Sequence, residues 1–274
     1  VEATCHRVGD APIVCGSRRS STMMLMSAEL HDASTWEWWH FAGFALVIYL
    51  GLELLNVLVI NAFSSANQIP IRGKHLDEFE FIDNAFIQFN KLAIIVFTYH
   101  MIRFTFTAKN ICWDIRDLGI LNGPSSLVAM HIVYDFFYTL FHRFLHNRIV
   151  YRFVHKHHHR QRAPTRGNLD AINVHPFEFV VGEYIHLVAA FLVSRVMTIH
   201  VGAIAWFVAV GGLLASLNHT RYDLSFLGVY SVKVHDVHHR LPESNYGQYI
   251  MLWDKLMGSY KPYTTEKSVS AKAQ

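Results

Sequence analysis

Nineteen histidines occur in 274 residues, and eight of them fall into three spaced groups: His142-x3-His146, His155-x2-His158-His159 and His235-x2-His238-His239. The first two groups share one stretch, FHRFLHNRIVYRFVHKHHH, at 141–159. A neutral imidazole is a good metal ligand. On an α-helix, positions i, i+3 and i+4 share a face. At about 100° per residue the rings of each triple fall within an arc of about 100°, with His157 pointing away. With this many histidines an H-x3-H pair is expected about once by chance, an H-x2-HH triple in roughly a tenth of such chains, and two triples in far fewer. Eight rings exceed one ion, since structural zinc takes four ligands and catalytic zinc three with a position left open. Eight to ten rings suit two metals, each with room for water or dioxygen. An all-nitrogen set argues against calcium and magnesium, whereas iron, copper, nickel and zinc all accept imidazole.

Two further rings are candidates by position: His175 in NVHPFE and His219 in LNHTRYD. Ligating histidines pass their second N–H to a carboxylate or a carbonyl. Asp135 lies seven residues before His142, two turns along the same face, with Tyr138 between them. Within an apolar run it is the leading candidate for such a partner, its alternative being a pairing with Arg143. Asp223 follows His219 by four residues and Glu178 follows His175 by three, while Asp236 adjoins His235 about 100° off its face. His131, His186 and His200 lie in apolar runs away from these groups and are expected not to be ligands; His6, His31, His40, His75 and His100 receive no role.

The elements that must position these rings belong to a membrane. The chain is 52% hydrophobic and only 16% charged, against roughly 25% for a soluble domain. Residues 41–63, with Glu53 as their single charge, are long enough to span a bilayer. Trp36, Trp38 and Trp39 stand before them as an interfacial belt. Residues 92–107 form a shorter run interrupted by Arg103, and a third run opens at Pro124. Residues 181–217 are too long for one crossing, which predicts a hairpin turning near Arg195 and His200. Between Phe136 and Leu169 seven basic residues and no acidic one occur, a bias that marks the cytosolic face. A net charge of +3 gives no reason to expect nucleic acid. Cys5, Cys15 and Cys112 share no metal-type spacing and suggest no disulfide framework. The expected organisation is a flexible leader at 1–35, membrane helices at 36–123, a catalytic domain at 124–263 and a disordered tail at 264–274. A start at Val1 rather than methionine is compatible with a truncated N-terminus.

From Asp135 to Pro262 the chain reads DFFYTLFHRFLH, FVHKHHH, NVHPFE, NH, VHDVHH and NYGQYIMLWDKLMGSYKP. In these motifs it resembles the fatty acid hydroxylase / sterol desaturase superfamily of membrane di-iron oxygenases. The three-residue gap in the first motif is similar to the sterol-acting branch. NYGQY and GSYKP resemble sterol C-5 desaturases, whereas HDVHH and NHTRYD resemble sterol C-4 methyl oxidases and cholesterol 25-hydroxylase. The resemblance implies an all-α, polytopic membrane helical bundle with a cytosolic, histidine-rich helical cap over a di-metal site. It implies an endoplasmic-reticulum enzyme holding two Fe ions, with O2 as co-substrate and electrons from NAD(P)H through cytochrome b5 and its reductase. Its substrate would be a membrane lipid, a sterol first of all, either hydroxylated or desaturated. A fatty-acyl or sphingolipid hydroxylase, a zinc-dependent membrane hydrolase and an inactive lipid-binding relative stay open as alternatives.

Overall fold

A computed structural model describes residues 33–76 and 78–264. The leader expected at 1–35 and the tail expected at 264–274 therefore lie outside the described residues, apart from 33–35 and Thr264, as do Cys5, Cys15, His6 and His31. The architecture is mostly helical: α1 (Trp38–Ala62), α2 (Phe81–Thr107), α3 (Ser126–Leu145), α4 (Arg148–Tyr151), α5 (Asn168–Ala171), α6 (Pro176–Ser194), α7 (Val201–Asn218), α8 (Val232–Arg240) and α9 (Leu252–Met257). Among the described residues four two-residue strands make two small ladders. Parallel β1 (Ile111–Cys112) pairs with β2 (Ile199–His200), and antiparallel β3 (Ser225–Phe226) pairs with β4 (Tyr230–Ser231).

Among the described residues four helices, α1, α2, α6 and α7, are long and apolar enough to cross a membrane. The 25 residues of α1 reach about 38 Å at ~1.5 Å each, enough for a hydrocarbon core of about 30 Å. Its Leu46, Val47, Leu50, Leu54, Val57 and Leu58 are exposed, as side chains facing lipid would be. The second helix differs from its sequence reading, for α2 starts eleven residues before the apolar run at 92–107. Asp83 and Lys91 hide that extension from hydropathy, and both are satisfied: Asp83 by Asn173 and His157, Lys91 by Glu53. The third run is helical, as α3, but is not among the four; His131, Asp135, His142 and Arg143 dilute its apolarity. The hairpin forms from α6 and α7 with its turn at 195–200.

The chain forms two compact units. The first comprises the described part of Val1–Leu50, with Leu92–Tyr134 and Glu183–Val210. Its interior rings include Phe97, Tyr134 and Phe207 around a buried His186, whose ring lies 4.0 Å from that of Tyr134 at a tilt of 34°. The second unit comprises Gly51–Lys91, Asp135–Gly182 and the described part of Gly211–Gln274. Val59, Ile69, Leu217, Tyr230 and Val232 form an apolar core in it. Beside them the buried Arg221 guanidinium donates to the carbonyls of Ile69 and Pro70 and to Asp236, which also accepts from Arg240.

The loop 245–250 is held unusually firmly. Asp135 accepts from the backbone N–H groups of Gln248, Tyr249 and Ile250, and Asp254 accepts from those of Tyr246 and Gly247. Asn245 sits in the left-handed region at φ 55°, which Asn tolerates better than most residues. Its side chain donates to Val234 and Lys261 carbonyls and accepts from the Lys261 N–H. The NYGQY and GSYKP motifs are thus two sides of one hydrogen-bonded clasp. A Cβ at Gly247 would meet the Ile250 carbonyl oxygen at 2.7 Å and Asp254 Oδ2 at 2.9 Å. Gly247→Ala is expected to cost about 1–3 kcal/mol by overpacking and to lower the thermal unfolding midpoint. Gly43→Ala, where a Cβ meets nothing within 4 Å, should leave that midpoint in place.

Candidate metal centre

Nine of the ten candidate rings converge into two adjacent groups. His142, His146, His155, His159 and His238 form the first, and His158, His219, His235 and His239 the second; within each, one nitrogen per ring lies within 4.8 Å of the others. Each triple is divided between the groups. The first group takes His155 and His159, an i, i+4 pair, and borrows His238. The second takes His235 and His239, again an i, i+4 pair, and borrows His158. The helical arithmetic accounts for the split in α8: 235 and 239 differ by about 40°, whereas 238 lies about 60° to the other side of 235. An arc of that width faces two neighbouring centres. Ring centroids of His159 and His239 stand 5.0 Å apart across the boundary, and those of His158 and His239 4.8 Å apart within the second group.

The elements under the rings are not all those the spacing suggests. His235, His238 and His239 lie on α8 as expected. His155, by contrast, follows a series of turns after α4, and His158 and His159 sit in a single 3-10 turn, His158–Arg160. The local sequence explains this: Asn147 caps a new helix by accepting from the Ile149 N–H, and by Lys156 the backbone bonds back five residues to Tyr151. His157 points away, to Asn173 Oδ1 at 2.9 Å and Asp83 Oδ1 at 3.0 Å.

Five rings have their Nδ1 facing an acceptor. These are His142 to the Tyr246 carbonyl (2.8 Å), His155 to Glu178 Oε1 (2.7 Å), His219 to Ala215 (2.8 Å), His238 to Ser244 (2.7 Å) and His239 to Gln161 (3.0 Å). Each acceptor requires a proton on Nδ1 and leaves the Nε2 lone pair directed inward. Six Nε2···Nε2 separations of 3.0–3.4 Å follow, 142–155, 155–159, 159–238, 158–219, 219–235 and 235–239. In the 142–155 pair both lone pairs are fixed inward and repel, and a set of closely spaced nitrogen donors of this kind fits a cation between them. At a metal–nitrogen distance of about 2.1 Å, such separations correspond to ligands about 90–110° apart. Burial also holds the rings in the ligating state. It lowers His142 and His146 to about 3, and burial with the neighbouring rings holds His155, His158, His159, His235, His238 and His239 well below the usual imidazole value. Neutral imidazole, not imidazolium, is the form present at neutral pH.

The remaining sequence candidates lie elsewhere. His175 joins neither group; its Nδ1 accepts from the Phe177 N–H, capping the start of α6, and its ring stands edge-on to Phe86. Asp135 does not touch a ligand ring but holds the loop whose Tyr246 carbonyl takes the His142 proton. Tyr138 presents its ring to that of His142 at 5.4 Å. Asp223 pairs with Lys233 rather than His219, whose Nδ1 is already engaged by its own helix. The carboxylate that does meet a converging ring is Glu178, and it faces His155, not the nearby His175. Glu178→Ala, leaving the His155 Nδ1–H without an acceptor, is expected to weaken metal binding about 10–100-fold in a chelator competition. Glu178→Gln, which keeps an acceptor oxygen, should retain most of the affinity.

The Fatty acid hydroxylase family model matches residues 127–259, just under half the chain and the segment that holds all nine converging rings. No curated protein and no solved structure matches. The match of residues 127–259, together with a helical architecture, four apolar helices among the described residues and two histidine groups able to hold metal, supports the fatty acid hydroxylase / sterol desaturase superfamily and a membrane function of lipid hydroxylase or desaturase type.

Proposed function

We propose that the protein is an oxygen-dependent lipid hydroxylase or desaturase with two irons, one in each histidine group. The observation that carries this reading is the pair of adjacent all-nitrogen donor sets. Electrons would come from NAD(P)H through cytochrome b5 reductase and cytochrome b5. The substrate would be a membrane lipid, with a sterol favoured by the three-residue gap of the first motif and by NYGQY and GSYKP. The seven basic residues between Phe136 and Leu169 support a cytosolic position for the centre, and the family resemblance supports the endoplasmic reticulum membrane.

The chemistry supplied by a bound iron pair is reduction of dioxygen to an oxidant able to break an unactivated C–H bond, which no side chain can do. The protein's own groups prepare that chemistry. The carbonyls of Tyr246, Ala215, Ser244 and Gln161 and the Glu178 carboxylate keep five Nδ1 protons in place, so the Nε2 atoms stay free to ligate. Burial of His142, His155, His158, His159, His219, His235, His238 and His239 keeps water from competing for those positions. Apolar membrane helices hold an acyl or sterol body in a fixed orientation, so that the carbon attacked is a matter of positioning.

Freshly purified protein should contain close to two irons per chain by elemental analysis; a single zinc would favour the hydrolase instead. His219→Ala should weaken the binding of one metal, while His175→Ala should keep both unchanged. His158→Ala should abolish turnover in a protein that still inserts into membranes. Mass spectrometry of lipids from cells expressing the intact chain or His158→Ala should then reveal the substrate, since a sterol shift and an acyl-chain shift differ. Identical lipid profiles would contradict the reading.

A further inference from the structure

The second unit bears a surface that the metal centre does not use. Between His142 and Lys156 the chain turns His142, His146 and His155 inward and a different set outward. Phe144, Ile149 and Phe153 are 54%, 70% and 66% exposed, and Arg148, Arg152 and Lys156 are exposed beside them. Backbone bonds from the Val154 and His155 N–H groups to Val150 and Tyr151 continue the turn of α4. The apolar pair 149/153 and the cationic series 148/152/156 therefore run as neighbouring stripes with a four-residue step. Arg152 places its guanidinium 4.4 Å from the Phe153 ring, which keeps cation and apolar body together.

These cations differ from Arg160 and Arg166 of the same basic stretch. Arg160 is spent on Glu80 and Asp83, and Arg166 on Asp170. Among the described residues none of Arg148, Arg152 and Lys156 has an acidic partner. Another element of the same unit also exposes apolar side chains. Trp253 seats α9 against Phe136 of α3 at 4.8 Å, and α9 leaves Leu252 and Leu256 exposed.

We infer that the 143–156 corner is a docking surface for acidic phospholipid headgroups of the membrane that the chain spans. Two features decide between this partner and an acidic protein, for which charge alone would suffice. Three large apolar side chains stand out beside the cations, a combination that lies in the headgroup and acyl boundary of a bilayer. The same chain carries four helices able to cross a membrane, so the lipid surface is already present. Basic side chains with long apolar stems reach phosphate from that depth, and each adds to the attraction for an anionic leaflet.

The test uses the full chain in nanodiscs of phosphatidylcholine alone or with phosphatidylserine as a quarter of the lipid, read by hydrogen exchange of the 143–156 amides. Exchange there should be several-fold slower with phosphatidylserine at low salt, and the difference should vanish in Arg148→Gln/Arg152→Gln/Lys156→Gln. Exchange in Val232–Arg240 should stay the same in all samples, which establishes that the variant is folded. Ile149→Ser/Phe153→Ser should speed exchange in both lipids if the apolar stripe inserts. Equal exchange in the two lipids overturns the inference, as does a phosphatidylserine effect that survives the triple substitution. Protection by added polyglutamate but not by phosphatidylserine would overturn it in favour of an acidic polypeptide.

Discussion

Nine imidazole nitrogens directed at one another in a buried volume are unstable without positive charge between them, and much of the second unit is organised around that constraint. Protonation could supply the charge, but burial disfavours imidazolium, and in His142, His155, His219, His238 and His239 carbonyl and carboxylate acceptors place the proton on the nitrogen opposite the inward one. A metal cation relieves the repulsion without a proton. The fold therefore stores a site whose stability is coupled to what it binds, as metal binding and folding free energy commonly are.

The two groups are interlocked rather than stacked side by side. Each takes an i, i+4 pair from one H-x2-HH triple and the i+3 ring from the other, so neither triple can move without disturbing both centres. The surrounding scaffold serves the same end by different means. Asp135 and Asp254 hold the 246–250 loop by its N–H groups, which fixes the Tyr246 carbonyl against His142. Arg221 and Asp236 tie α8 to the strand-like segment at 69–70. Glu178, at the start of a membrane helix, holds His155. Buried charges are costly unless paired or fully hydrogen-bonded; here they are spent on placing imidazoles.

Much of this was legible in the chain, because histidine spacing and apolar run length are local properties. The grouping of His142 through His239 and the hairpin about 195–200 needed no tertiary information. What escaped was whatever depends on contacts far apart in sequence. The extension of α2 to Phe81 was hidden because the partners that make Asp83 and Lys91 acceptable lie at Asn173, His157 and Glu53. His175 fitted by proximity, yet it caps a helix. Asp135 and Asp223 were chosen for their distance along the chain from a histidine, whereas most of the acceptors are backbone carbonyls, which leave no mark on a sequence. Glu178 was visible as a carboxylate but was set beside the wrong ring. The division of the 235–239 triple follows from the same 100° arithmetic that grouped it, once two centres rather than one have to be faced, whereas that of 155–159 depends on turns the arithmetic does not describe.

The most direct measurement of this account is the metal content of two double variants purified in parallel. His158→Ala/His235→Ala removes two rings of the second group and should lose one ion while the first group keeps its own. His155→Ala/His158→Ala removes two rings of a single triple but one from each group, and should weaken both ions. Loss that follows the triples instead, with the second variant losing one ion and the first losing both, would contradict the interlocked arrangement.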